Sequence, residues 1–336
     1  MMPQGRVALW ALLLLLVGSA GVLLGTAIGS QGWEVWWRAT RDPVMQQIVW
    51  DIRLPRSLGA WLGGALLGLA GAIAQGLFRN PLADPYLLGS ASGASLGVSL
   101  YLSLFGGSIL ATAWWPRLGM TGAAFVGAVL AVGLTLVLAR GVQQTLRLLL
   151  AGVVVGVVLG ALASLVAMFE PQVLQAMQGF MLGSTAFVGW TACGLMALAL
   201  LLSLLAGWAL ARVLDALTLG EATAQSLGMP LPQARLLLVA AMSLATAAAV
   251  AQMGLIAFVG LAAPHAVRSL LRCTHAGLLL LSALMGGALL LLADVLARAV
   301  LAPQDLPVGA LTAVLGGAYL LWRMQRTQQS ASGGRA

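Results

Sequence analysis

The sequence predicts an all-α protein that crosses a lipid bilayer many times, and three observations predict it. Hydrophobic residues fill 61% of the 336 positions and charged residues only 8%, about a third of what a soluble domain carries. Mean hydropathy is +0.99. The few charges are spaced so that long charge-free stretches lie between them, most of them long enough for the ~20 apolar residues of a spanning helix. A soluble globule could not build its charged surface from this composition.

In chain order the charge-free stretches are 7–33, 57–78, 85–116, 118–139, 148–169, 171–211, 236–267, 273–293 and 306–322. Stretch 7–33 follows Arg6, but its apolar run exceeds the usual core of a signal peptide, so it reads as a retained first span. Stretch 85–116 holds one helix, about 87–105, then a loop with Gly106, Gly107 and Pro116. Stretch 171–211 opens on Pro171 and three glutamines, which predicts a short helix outside the bilayer before a span at about 190–211. Stretch 236–267 is too long for one helix and is broken by Gly254, Gly260 and Pro264, which predicts a full helix and then a short one. The remaining stretches are single spans, and the total is ten. The 323–336 tail is basic and polar.

Ten spans place both termini on one side. With both inside, eleven arginines face the cytoplasm (6, 79, 140, 147, 212, 235, 268, 272, 323, 326 and 335) and six face out (38, 41, 53, 56, 117 and 298). The excess inside predicts cytoplasmic termini, and the four outer arginines at 38–56 run against it. Gly59, Gly63, Gly64, Gly68 and Gly71 on the second span predict close helix contact, because small residues let backbones approach where lipid supplies no hydrophobic drive. Ala74-Gln75-Gly76-Leu77 on the second span and Ala251-Gln252-Met253-Gly254-Leu255 on the seventh echo one another, each before a break. The two spans run in opposite directions, as in an inverted repeat.

Composition also excludes functions. All 17 basic residues are arginine. Without lysine there is neither a phosphate-binding P-loop lysine nor a Schiff base. The arginines sit singly between apolar runs, which fits helix orientation and not a nucleic-acid surface. Cys193 and Cys273 are too few for a disulfide framework and read as free thiols. Inside the spans ionisable groups are scarce. Asp294 lies four residues before Arg298, an intrahelical ion-pair spacing. There is no chain of buried carboxylates such as an ion-coupled carrier uses, and no nucleophile–base or metal-ligand cluster for an enzyme. Energy for any transport must come from another polypeptide.

Four blocks are specific. Residues 53–97 read RLPRSLGAWLGGALLGLAGAIAQGLFRNPLADPYLLGSASGASLG; residues 219–229 read LGEATAQSLGM; 254–268 read GLIAFVGLAAPHAVR; and 305–317 read DLPVGALTAVLGG. In content and order these resemble the FecCD family of permeases, which serve ABC importers of haem, ferric siderophores and cobalamin. Three positions depart from the family pattern: Phe180 where tryptophan is usual, Ala318 where proline is usual, and no basic residue after His275.

The resemblance implies one transmembrane permease domain over 1–336, of the type II importer kind, in the bacterial inner membrane. It implies a second copy of the chain, two ATPase subunits below and a periplasmic substrate-binding protein above, with haem or another iron chelate as cargo and no cofactor or resident metal in this chain. The segment 215–230 becomes a cytoplasmic coupling helix, with Leu219, Gly220, Glu221, Ala222, Gln225, Leu227 and Gly228 against the ATPase; Thr218 and Glu221 have capping-box spacing. Asn80 and Leu82, in the proline-bounded turn 79–85, and Thr145 and Leu146 become the cytoplasmic gate. Arg53, Arg56 and Arg298 become docking groups for glutamates of the binding protein, a task suited to the planar guanidinium. His265 lies in a block shared across cargoes and reads as packing, not as an iron ligand; His275, beside Arg272, reads as solvated.

Overall fold

The structure is a computed structural model that describes residues 4–29, 32–33, 42–106, 114–139, 145–302 and 304–319. The chain runs α1 (Gln4–Ala27), β1 (Ile28–Gly29), β2 (Gly32–Trp33), α2 (Pro43–Ile48), a π-helical turn (Val49–Arg53), α3 (Leu54–Phe78), a 3-10 turn (Pro85–Leu88), α4 (Ser90–Phe105), α5 (Trp114–Leu138) and α6 (Thr145–Phe169). It continues through α7 (Pro171–Leu182), α8 (Trp190–Ala209), α9 (Ala211–Thr218), α10 (Glu221–Ser226), α11 (Leu231–Met253), α12 (Val259–Leu270) and α13 (His275–Ala299). A last apolar helix, α14, spans Val308–Tyr319.

Seven helical segments among the described residues are long and apolar enough to cross a bilayer: Gly5–Ala27, Pro43–Phe78, Leu118–Leu138, Leu150–Phe169, Trp190–Ala209, Leu231–Met253 and His275–Ala299. Two shorter apolar helices, α4 and α14, accompany them. The two predicted cuts are present: α7 stands apart from α8, and α11 and α12 are separate helices. Two boundaries differ from the sequence reading. The first helix stops at Ala27, where Ile28–Gly29 pairs antiparallel with Gly32–Trp33. The second helix starts well before residue 57, at Pro43, capped by Asp42, whose carboxylate accepts from the Val44 N–H at 2.9 Å. It reaches α3 through the π-helical turn, where the Leu54 N–H bonds the Val49 carbonyl five residues back. Pro55 has no N–H to return to Asp51, so a shift of register ahead of it costs little.

The helix that begins at Pro43 is the centre of the molecule. Of its most apolar window 89% is buried, against 22% for Leu150–Phe169. The glycines make this possible. A Cβ on Gly64 would strike the Gly286 carbonyl of α13, one on Gly68 the Ser282 carbonyl, and one on Gly286 the Gly64 carbonyl. A Cβ on Gly71 would strike the carbonyl of Gly260 in α12. Pro264 has no N–H for that carbonyl, so Gly260 and Gly71 meet where the helix ladder is already open. A second glycine contact joins α4 and α5, through Gly93, Gly97, Ala123 and Gly127. The outer flank of α6 shows Val153, Val154, Val157, Val158, Leu162 and Leu165, an apolar surface that only lipid or another apolar chain would cover.

Three irregular segments meet and satisfy one another. The Leu255 N–H donates to the Phe180 carbonyl at 2.9 Å, Ser184 N–H to Met253 at 2.8 Å, and Gly309 N–H to Gly183 at 3.2 Å. Gly183 and Gly254 have φ of 65° and 71°. A Cβ on Gly309 would collide with the carbonyls of Leu182 and Leu255. Phe180, one of the family departures, is buried here and gives its carbonyl to the junction.

Backbone contact leaves no room for a side chain, so Gly68→Val should abolish the folded protein. Gly194→Ala, on α8 with nothing near its Cβ position, should leave it unchanged. Monodisperse yield in size-exclusion chromatography separates the two; equal yields would refute the α3–α13 contact.

Candidate functional site

Where α13 ends, residues from five segments form one cluster around a carboxylate. Asp294, in the last turns of α13, is fully buried. Its Oδ1 accepts from the Arg56 Nε at 3.3 Å and Nη2 at 3.2 Å, and from the Thr185 hydroxyl. Its Oδ2 accepts from the Arg298 Nη2 at 2.5 Å. Arg298 is 5% exposed. It also donates to the Gly25 carbonyl at 2.8 Å, the Ser57 hydroxyl at 3.1 Å and its own helix at the Asp294 carbonyl. Arg56 turns its remaining edge outward, where Nη1 meets Asp305 at 2.6 Å; the Asp305 side chain is 44% exposed. Two guanidinium groups and two carboxylates balance, as buried charge requires. The Arg53 Nη1 donates to the Thr26 carbonyl at 3.3 Å.

The intrahelical Asp294–Arg298 pair read from the sequence is present. Arg298, expected as a docking group, has a side chain 5% exposed whose N–H groups bond within the chain. Arg53 and Arg56 remain at the outer edge. Sequence reasoning missed Thr185, Ser57 and Asp305 as members of this cluster. Asp305 stands first in the DLPVG block, the only signal that could have drawn attention to it.

At the opposite end of α3, the turn that follows it is built from local caps. Arg79 takes a left-handed φ of 51° and closes the helix. Asn80 Oδ1 accepts from the Leu82 N–H at 2.9 Å, so the expected gate residue Asn80 holds its own loop while Leu82 stands exposed. Asp84 caps the 3-10 turn by accepting from the Tyr86 N–H at 2.8 Å. Burial pushes the Asp84 carboxyl up to about 6, against the lowering effect of that N–H. The Tyr86 hydroxyl donates to the Ile256 carbonyl at 3.3 Å, tying the loop to the α11–α12 break. Buried Gln75 is tied to α12 at both ends: Nε2 donates to the Leu261 carbonyl at 3.3 Å and Oε1 accepts from Arg268. Thr145 and Leu146 open α6; their side chains lie outside the described residues.

The segment 215–230, expected to couple to an ATPase, holds the end of α9 and all of α10, with Gly220 between them at φ 106° and Gly228 closing it at φ 75°. The expected Thr218–Glu221 capping box is not formed. Thr218 lies inside α9, its hydroxyl donates back to the Asp215 carbonyl at 2.6 Å, and Gly220 stands at the N-cap of α10. Glu221 instead pairs with Arg235 of α11 at 2.5 Å. Ala224 is buried, which seats α10, while Leu219 and Leu227 are 65% and 59% exposed at its two ends. Ala222, Gln225 and Gly228 are exposed with them. His275 is not solvated as expected: its side chain is 12% exposed, and Nδ1 lies 2.7 Å from Asp215 Oδ1. The His275 N–H also donates to that oxygen at 3.0 Å, so Asp215 caps α13 and fixes α9 to it. His265 lies beside the Tyr319 ring, centroids 6.2 Å apart. Among the described residues no three His, Cys, Asp or Glu gather as metal ligands.

The geometry agrees with known proteins. A sequence model of the FecCD transport family matches residues 11–326. The hemin transport system permease protein HmuU of Yersinia pestis is 37% identical over 333 residues, 98% of each chain. The vitamin B12 import system permease protein BtuC of Escherichia coli O157:H7 is 38% identical over 317 residues, 93% of this chain and 94% of the other. An inward-facing structure of a metal-chelate type ABC transporter superposes with a TM-score of 0.81 at 29% identity, over 92% of this chain and 96% of the other.

The raised Asp84 carboxyl makes a pH prediction. A group at about 6 folded and 3.8 unfolded binds its proton more tightly when folded. Its stabilisation is complete below the unfolded value and is lost as pH rises through the folded one. The thermal midpoint of purified protein should therefore rise on acidification from about pH 7.5 to about pH 5.5. That rise should shrink in Asp84→Asn, whose amide oxygen still accepts from Tyr86. The same pH slope in both proteins would sink the assignment.

Proposed function

The chain belongs to the FecCD transport family, and from that premise we propose that it is the translocating subunit of an ATP-driven importer with haem as its first cargo. The chain is a permease subunit and not itself an enzyme; ATP is hydrolysed by a separate chain. The observation that carries the reading is a family match that runs from the first helix to the last with relatives aligned nearly end to end. Haem is placed first because the hemin permease aligns over the longer share of the chain. Cobalamin is the second reading, since its permease is as similar, and ferric siderophores are a third cargo of the same family.

In this reading ten spans, arranged as an inverted repeat, sit in a bacterial inner membrane with both termini in the cytoplasm. Two copies enclose the path. Two ATPase subunits receive α10, with Leu219 and Leu227 as apolar contacts at either end and Gly220 as the joint. A stiff docking element suits the task, and the Glu221–Arg235 pair and buried Ala224 supply the stiffness. Asn80 and Leu82, with Thr145 and Leu146, close the inner end of the path. Above, a periplasmic binding protein brings acidic side chains to Arg53 and Arg56. The walls of the path, rich in Ala, Gly, Leu, Met and Ser, let a bulky macrocycle slide without a strong bond.

Reconstitution tests it directly. Proteoliposomes holding this chain, its ATPase and its binding protein should take up haemin only with ATP, and haemin should stimulate ATP hydrolysis more than cyanocobalamin or ferrichrome does. Uptake by the chain alone down an ion gradient would make it a secondary carrier instead. Ala222→Trp should block ATPase assembly or uncouple it; normal uptake in that variant would remove the coupling role. His265→Ala and His265→Gln should both retain substantial uptake. If both abolish it in a complex that still hydrolyses ATP, haem ligation by His265 becomes the better account.

A further inference from the structure

The outer ion cluster has an inner and an outer half, and they differ in what could be exchanged. Asp294 is fully buried and its carboxylate is shared among Arg56, Arg298 and Thr185. Nothing arriving from outside can take its place. Asp305 touches Arg56 alone among the described contacts, through Nη1 at 2.6 Å, and is 44% exposed while Arg56 is 12% exposed. Arg56 is thus held from within by one carboxylate and covered from without by another. The covering residue lies in the non-helical stretch between α13 and α14, where it can turn aside without breaking a helix.

We infer that Asp305 is a resident competitor: its carboxylate occupies Arg56 in the undocked chain and is displaced when an acidic side chain of the binding protein arrives. The inference rests on the docking reading given above and goes beyond it by naming the group that opposes docking. The chemistry is an exchange of one carboxylate for another on the same Nη1 edge, while Asp294 keeps the Nε and Nη2 edge aligned. Charge makes the exchange consequential. In the undocked chain Asp305 neutralises the outward face of Arg56, which lowers the attraction felt by an approaching acid and slows its capture. Binding gains only the difference between the new pair and the old. The binding protein then leaves readily, as a partner that must return for each cargo requires.

The test removes the competitor. The chain, assembled with its ATPase in nanodiscs, is passed over its immobilised substrate-binding protein. Asp305→Asn and Asp305→Ala should tighten binding about twofold to fivefold, the factor that a partly exposed ion pair corresponds to. The gain should come mainly in the association rate and should shrink at high salt. Asp305→Glu, which keeps the competing charge, should bind as the unaltered chain does. Unchanged or weaker binding in both neutral variants would overturn the inference, and so would failure of both to assemble, which would make Asp305 a structural brace. The docking reading fails separately: if Arg53→Glu with Arg56→Glu leaves affinity and its salt dependence intact, the binding protein does not use these arginines. Loss of affinity there, with no gain at Asp305, refutes only the competitor.

Discussion

A backbone N–H or carbonyl in hydrocarbon has only protein to bond with, and the architecture of this chain follows from meeting that demand wherever a helix is broken. Two breaks, at Gly183 and Gly254, and the start of α14 at Gly309 are brought together so that the free N–H groups find carbonyls. Such a crossing requires backbones closer than any Cβ allows, and two of the glycines also take φ values that other residues rarely adopt. The same closeness recurs in regular helix, where Gly64 and Gly68 of α3 lie against Gly286 and Ser282 of α13. Glycine here is the means by which helices pack and unwound segments remain satisfied.

The ionic groups obey a related rule. Among the described residues the most deeply buried charges, Asp294 and Arg298, are paired. Asp294 is affordable in its place because two guanidinium groups and a hydroxyl surround it. In turn it gives Arg298 a partner and sets the orientation of Arg56. Removing Asp294 would strand Arg298 in a buried site, a loss expected to be far larger than any effect at exposed Asp305. The two aspartates bind the same arginine, yet only the outer one is free to exchange.

Much of this was legible in the sequence. Charge-free stretches located the helices, proline and glycine located the cuts, and the small residues of the second span foretold a close helix contact, though not that α13 makes it. Those signals are local: a helix needs its own residues apolar, and a break needs its own proline or glycine. The pairing of Arg56 with residues 238 and 249 positions away is not local, and no periodicity encodes it. For the same reason Arg298 could be read as outward when it is buried. Local polar groups misled in the other direction. Thr218 and Glu221 have the spacing of a capping box, but Thr218 satisfies a carbonyl of α9 and Glu221 finds Arg235 across the turn. His275 sits among charges in the sequence, yet Asp215, sixty positions away, holds it at the start of α13.

Two of these long-range pairs hold the two ends of α13. At one end α13 begins at His275, bonded to Asp215 of α9. At its other end it carries Asp294, bonded both to Arg298 and to Arg56 at the head of α3. Its 25 residues reach about 37 Å, roughly the depth of a bilayer with part of its headgroup region. Between the two ends it is pressed backbone to backbone against α3, which at its own far end holds Gln75 against Arg268 of α12. A contact made by main chain has no side chain to yield by changing rotamer. Displacement of one helix end is therefore carried along the pair and not absorbed within it. Arg56 and the α9–α10 segment lie at opposite ends of one stiff unit, and the glycines that let the helices meet are also what denies them slack.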